Sequence, residues 1–229
     1  MTGEDLKLGR ERKHWTQEEA ASRLRVSQPY LSLMEKGQRP VPAHLARKAT
    51  TAFKLPATNL PLKTSLERVQ AKSGNALAVD LASLGYPGFS YLKSRGKKNP
   101  AEVLLSALSA KHLESRLVEA LPWILLKYPN LDRQSLVSAA KLRDLQNRLG
   151  FVTNLARRVA EKRGESGTAQ LLRKQEEDLE SSRLFLEDTL CNDSLTHAER
   201  RWLEKHRPAA ARYWRVLSDL SPDHLSHAY

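Results

Sequence analysis

The stretch from Thr16 to Gly37, TQEEAASRLRVSQPYLSLMEKG, constrains the fold more tightly than any other part of the chain. Thr16 can N-cap a helix, and Glu19 three residues later completes a capping box. Ala20, Ala21 and Leu24 give that helix one apolar face, with Ala21 small enough for a second helix to cross closely. Arg25-Val26 is the turn, and Val26 plugs the corner. Ser27 is a second N-cap, and Pro29 lies in the first turn of the next helix, where its missing N–H costs nothing. Leu31 and Met34 then face inward while Gln28, Tyr30, Ser32 and Leu33 point elsewhere. Gly37 closes the helix as a residue able to adopt positive φ. The pattern predicts two short helices joined by a tight turn.

From about Leu6 to Leu60 the sequence resembles the helix-turn-helix of the Cro and lambdoid phage repressor family, the XRE class. The likeness extends to Arg10 in the preceding helix, to Glu35 at the end of the second motif helix, and to Gln38-Arg39-Pro40-Val41-Pro42 leading into a further helix. It implies that Arg10 and Glu35 form a structural ion pair. Gln17 should bind a backbone phosphate and brace Gln28. Gln28 should read a base edge, adenine being the natural partner of its amide, with Tyr30 and Ser32 reaching bases or nearby phosphates. Lys36, Gln38, Arg39 and more weakly Arg23 should anchor the phosphate backbone. Two departures stand out. Arg25 replaces the usual turn glycine, so either it accepts strained dihedrals or the turn has another shape. Ala20 stands where a larger Leu is usual.

The 229 residues carry a formal charge of +12, unevenly spread. Residues 1–65 hold 12 Lys and Arg against 6 Asp and Glu, residues 66–169 hold 17 against 9, and residues 170–229 hold 9 against 11. A basic front and middle with a near-neutral tail is the footprint of a polyanion binder. No run approaches the roughly 18 apolar residues of a membrane span, and no leader pattern follows Met1. The single cysteine, Cys191, rules out an intrachain disulfide and fits a reducing cytoplasm.

Helical periodicity dominates, so the expected class is all-α, with a helix-turn-helix domain of about five helices over 1–65 and a helical domain over 66–229. A bridging helical stretch from Leu62 to Leu84 is interrupted by Ser73-Gly74-Asn75, and a turn-rich segment, Gly85 to Phe89, follows. Asn99-Pro100 opens a helix to about Ala110. Leu113 to Leu126 reads as a buried helix kinked at Pro122. Asp132 caps a helix to about Arg148, and Phe151 to Arg163 forms another. Thr168 to Leu190 reads as one long polar helix whose Leu172, Leu179 and Leu186 recur by sevens, either a dimer seam or a face packed on its own domain. Thr196 and Glu199 form a further capping box, and Pro208 to Leu220 is the last substantial helix. Trp123, Trp202 and Trp214 read as core, Trp15 as a staple on the motif, and Cys191 as a semi-exposed loop thiol. The basic loop Arg95-Gly96-Lys97-Lys98 is either solvated or a contact to phosphate or an acidic partner. Tyr86, Phe89 and Tyr91 are either stacking faces or a structural turn.

Catalytic signatures are missing: no P-loop, HExxH, GxSxG or paired-cysteine spacing occurs. His224 and His227 stand three apart near the end of the chain and read as a solvated pair rather than metal ligands. The expectation is a non-enzymatic regulator without cofactor or metal, a homodimeric repressor on an inverted-repeat duplex operator. A second resemblance keeps an alternative open. Val118-Glu119-Ala120-Leu121-Pro122-Trp123 and Leu145-Gln146-Asn147-Arg148-Leu149-Gly150-Phe151 are similar to segments of antitoxin-type regulators encoded beside toxin genes, particularly nucleotidyltransferase-type toxins. That likeness implies autoregulation through one domain and toxin neutralisation through the other.

Overall fold

A computed structural model describes residues 1–62, 73–93, 96 and 98–225. The chain is all-α and divides into two compact units, Met1–Lys63 and Thr64–Tyr229. Most of the bridging stretch before Ser73, together with Ser94, Arg95 and Lys97 of the basic loop and His227, lies outside the described residues.

The first unit is built from α1 (Gly3–Glu11), α2 (Gln17–Leu24), α3 (Gln28–Glu35) and α4 (Ala43–Ala52), closed by a 3-10 turn at Ala57–Asn59. Four α-helices and this turn therefore stand where about five helices were expected. Thr2 with Asp5 and Thr16 with Glu19 make capping boxes, each satisfying orphan N–H groups at a helix start. Leu6, Ala20, Leu24, Leu31, Met34 and Leu45 share one fully buried core. Ala20 is thus a core residue in spite of its small size. Trp15 packs edge-on against Phe53, with ring centroids 5.6 Å apart.

In the second unit α5 (Gly74–Ser83) and α6 (Pro100–Leu108) begin at the caps Ser73 and Asn99. Next, α7 (Ser115–Lys127) stays helical on both sides of Pro122 and buries Leu117, Leu121 and Ile124. Tyr86 and Phe89 are buried, Tyr86 packing edge-on to Trp123 at 5.2 Å, so they form a structural turn; Tyr91 alone of the three is exposed. Lys98 of the basic loop pairs with the buried Asp80, so that charge serves the fold.

The middle of this unit differs from expectation. The helix capped by Asp132 is α8 (Arg133–Lys141). It stops at a turn in which Asp144 takes φ 55°, and α9 (Gln146–Lys162) then runs unbroken through Gly150. Gly150 looked like a break between helices. Its role is close approach, because a Cβ there would collide with the buried indole of Trp214.

The next helix, α10 (Ser166–Glu180), ends ten residues earlier than the sequence suggested. Three consecutive residues at the start of α9 hold the chain that follows it. Gln146 Nε2 donates to the Ser182 carbonyl at 3.1 Å. Asn147 exchanges two bonds with the Leu184 backbone, at 3.1 and 2.8 Å. Arg148 grips Asp188 bidentately at 2.6 and 2.7 Å and donates to the carbonyls of Leu108 and Ala110. Burial opposes the Arg148 charge, but the hydrogen bonds and charge of Asp188 outweigh it and raise the pKa. Backbone that would have continued the helix is thereby drawn into β1 (Asp188–Thr189), which pairs in parallel with β2 (Val216–Leu217). The Thr196 capping box opens α11 (His197–His206) as expected, whereas the last helix, read as Pro208 to Leu220, is only the short α12 (Ala209–Tyr213), because the chain beyond it supplies β2.

The same fold-back decides the leucine stripe and overturns the reading of Cys191. Leu172 and Leu179 are buried within the unit, whereas Leu186 lies beyond the helix and is 78% exposed, so the stripe is no dimer seam. Cys191 is fully buried, not semi-exposed; its Sγ donates to the Ala107 carbonyl at 3.3 Å, and burial pushes the thiol up to about 12. Trp214 and Trp123 are core, but Trp202 is 51% exposed. The segment 181–187 also leaves Phe185 80% exposed beside Leu186. Arg215 lies over the Phe185 ring at 4.6 Å and Arg183 over Tyr213 at 4.3 Å, while the Tyr213 hydroxyl donates to Glu180 at 2.8 Å.

Candidate nucleic-acid interface

The turn between α2 and α3 is tight because Arg25 adopts φ 59°, ψ 50°, the left-handed conformation usually given to glycine. Of the two options the sequence left open, the chain accepts the strain, at a cost of order 1–3 kcal/mol. Val26 packs against the core behind it. Ser27 then caps α3, its Oγ accepting from the Tyr30 N–H at 3.4 Å, and Gln28 becomes the first residue of the helix. Gly37, at φ 72°, ends it, with the Gln38 N–H donating to the Leu33 carbonyl at 2.9 Å.

The side chains behind this helix start form one connected chain. Arg10 Nε and Nη2 donate to the two carboxylate oxygens of Glu35 at 2.7 and 3.0 Å, and Nη1 donates to the Trp15 carbonyl at 3.0 Å. The Glu35 hydrogen bond raises the Arg10 pKa, which keeps the cation fixed. Gln17 Nε2 donates to Glu35 Oε2 at 2.9 Å, and Gln28 Nε2 donates to Gln17 Oε1 at 2.7 Å.

The direction of that chain follows from donor and acceptor chemistry. A carboxylate only accepts, so Gln17 must turn its NH2 toward Glu35 and its carbonyl toward Gln28. Gln28 must then offer an N–H to Gln17, which leaves its own carbonyl and a second N–H uncommitted. An acceptor beside a donor is the pair that matches adenine N6 and N7 in the major groove. Sequence reading assigned the ion pair and the glutamine brace separately. Glu35 joins them, and that link depends on a distance between helices that no local pattern encodes.

The remaining expected residues fall around this point. Tyr30 and Ser32 are half-buried on α3, and Lys36, Gln38 and Arg39 are exposed beyond its end. Arg39 lies over the Tyr30 ring at 5.6 Å, which brings an expected phosphate contact and an expected base contact together. Arg23 is stacked 4.0 Å over Trp15, whose carbonyl Arg10 holds. Trp15 therefore holds an arginine as well as stapling the motif.

A family model of a helix-turn-helix domain matches residues 3–62, about a quarter of the chain. No curated protein and no solved structure matched. The first unit is thus a helix-turn-helix domain, and the class it defines is that of DNA-binding regulators. Among the described residues no helix is long and apolar enough to cross a membrane. The two phrases similar to antitoxin-type regulators lie in α7 and across the start of α9, where burial and the clamp on residues 182–188 account for most of their residues.

Proposed function

We propose that the protein is a sequence-specific transcription regulator of the Cro and lambdoid repressor class, a homodimeric repressor on an inverted-repeat operator. The observation that carries this reading is the relay from Arg10 through Glu35 and Gln17, which presents an oriented Gln28 amide at the start of α3. In the proposed complex α3 lies in the major groove. Gln28 reads an adenine, and Tyr30 and Ser32 touch neighbouring bases. Gln17, Arg23, Lys36, Gln38 and Arg39 contact phosphates and set the register.

On this reading the protein acts by binding and not by catalysis, in the cytoplasm. The second copy docks through the exposed patch of Phe185, Leu186 and Tyr213. That patch suits a two-fold contact because it carries both signs of charge, Arg183 and Arg215 beside Glu180, so one surface can complement itself. Footprinting the duplex upstream of the protein's own gene tests the reading. Two protected half-sites with centres about 34–36 Å apart are expected. Equal affinity for scrambled duplex would refute it, and stoichiometric co-purification with a toxin-like protein encoded alongside would replace it with the antitoxin reading.

A further inference from the structure

The second unit holds a cavity of about 420 Å3 that the DNA-binding reading does not use. That volume falls within the range of small-molecule sites, about 300–1,000 Å3. Leucines from four separate segments line it: Leu113 before α7, Leu190 after β1, Leu203 on α11 and Leu217 on β2. All four are buried, so a fixed apolar wall lies at the base of what is a half-open pocket.

Its charged lining is acidic. Glu119, Glu199 and Asp219 line it beside one histidine, His224, and the neutral Ser115, Asn192 and Ser218, and among the described residues that line it there is no Lys or Arg, in a chain whose net charge is +12. Glu199 is held by its own helix start, where its Oε2 accepts from the Thr196 N–H at 2.7 Å. That bond lowers its pKa and keeps it anionic. Trp202 adds a third element. One indole face is stacked on His206, with centroids 4.5 Å apart and planes 18° apart, yet the side chain lines the cavity and stays half exposed. A large aromatic with one face partly in water beside apolar walls is available for a ligand contact. Aromatic faces and carboxylates attract the same kind of ligand, a cation with an apolar body.

We propose that this cavity binds a small organic cation, an ammonium or guanidinium carried on an aromatic or branched apolar group. The apolar body packs on the leucines, the charge lies between the carboxylates, and Trp202 covers the cation. The site lies wholly within the second unit and stands or falls independently of the DNA reading.

A ligand-observed NMR titration of the full-length protein with benzyltrimethylammonium tests it, with phenylacetate and benzyl alcohol as controls of similar size. The cation should bind saturably with Kd at or below about 1 mM, raise the melting temperature, and compete with neither control. Glu119→Gln with Asp219→Asn, and separately Trp202→Leu, should each weaken binding by about tenfold. These residues are exposed or half-exposed, so the variants should melt within a few degrees of the parent, which separates loss of the site from loss of the fold. Absence of saturable binding, equal binding of phenylacetate, or full affinity in the variants would each overturn the proposal.

Discussion

Gln28 donates to Gln17 across the turn of the motif at 2.7 Å, and this bond joins a buried ion pair to the first residue of the recognition helix. A glutamine held in this way is oriented before it meets a base, so less side-chain freedom is lost on binding. Gln28→Ala should weaken operator binding by about 1–3 kcal/mol and leave binding to scrambled duplex nearly unchanged. Competition titrations with both duplexes measure the difference, and equal losses on the two would remove Gln28 from base reading.

Arg39 should behave in the opposite way. It is exposed beyond α3, over the Tyr30 ring, and on the proposed reading its charge meets a phosphate. Arg39→Ala should weaken operator and scrambled duplex alike and reduce the slope of log affinity against log salt by about one. An unchanged slope would show that Arg39 only supports Tyr30.

The Arg10–Glu35 pair is largely buried, the two side chains being 12% and 2% exposed. Removing one partner strands a charge, at about 3–5 kcal/mol, whereas replacing both with apolar residues need not. Arg10→Met should lower the melting temperature, and Arg10→Met with Glu35→Leu should recover part of the loss. Because Glu35 also orients Gln17, the double variant should still discriminate poorly between operator and scrambled duplex. A single variant that melts normally but binds DNA weakly would make Arg10 a DNA contact.

The ends of helices were legible wherever a short-range rule set them. Thr16 with Glu19, Asn99 with Pro100 and Thr196 with Glu199 all cap as the spacing predicts. The errors came where a distant contact overrides a local signal. Gly150 imitates a helix break but makes room for Trp214, and residues 181–187 have helical periodicity but are held out of α10 by Gln146, Asn147 and Arg148. Cys191 is buried by the same fold-back, since Arg148 and Asp188 hold the strand that ends two residues before it. At the interface, individual residues could be named from the resemblance, but the Glu35–Gln17 bond that connects them spans 18 residues and emerges only from packing.

The Arg148 clamp can be tested on stability alone. Arg148→Met leaves Asp188 without its partner and frees the Leu108 and Ala110 carbonyls, so unfolding should become easier by about 3–5 kcal/mol in denaturant titrations. Gly150→Ala should cost about 1–3 kcal/mol by overpacking against Trp214, and adding Trp214→Phe should offset part of that cost. Full additivity of the two would mean the residues do not share one packing site.

Cys191 gives a pH signature. In the unfolded chain the thiol ionises near 9.0, while in the native protein burial holds its proton up to about 12. The native state therefore binds more protons than the unfolded state between those values, and stability falls as pH rises above 9.0. Cys191→Ala should flatten that part of the stability curve. Native protein at pH 8 should resist alkylation and react only in denaturant; rapid labelling under native conditions would contradict the burial.

The last prediction concerns assembly. One helix-turn-helix covers a half-site, and a single set of contacts rarely provides the roughly 4–10 kcal/mol that separates specific from non-specific binding. A dimer doubles the set, but the Leu172 and Leu179 face is already spent on the interior of the second unit. The exposed pair Phe185 and Leu186, with Tyr213 and two arginines stacked on the aromatic rings, has the composition of an interface centre instead. Phe185→Ser with Leu186→Ser removes exposed apolar surface without touching α9 or the clamp, so the melting temperature at high dilution should hold. Light scattering should find the parent dimeric at micromolar concentration and the double variant monomeric. The variant should protect a half-site only at much higher concentration, with its affinity for non-specific duplex less affected. A variant that remains dimeric would move the interface elsewhere, and a monomeric parent that still footprints both half-sites would end the dimer reading.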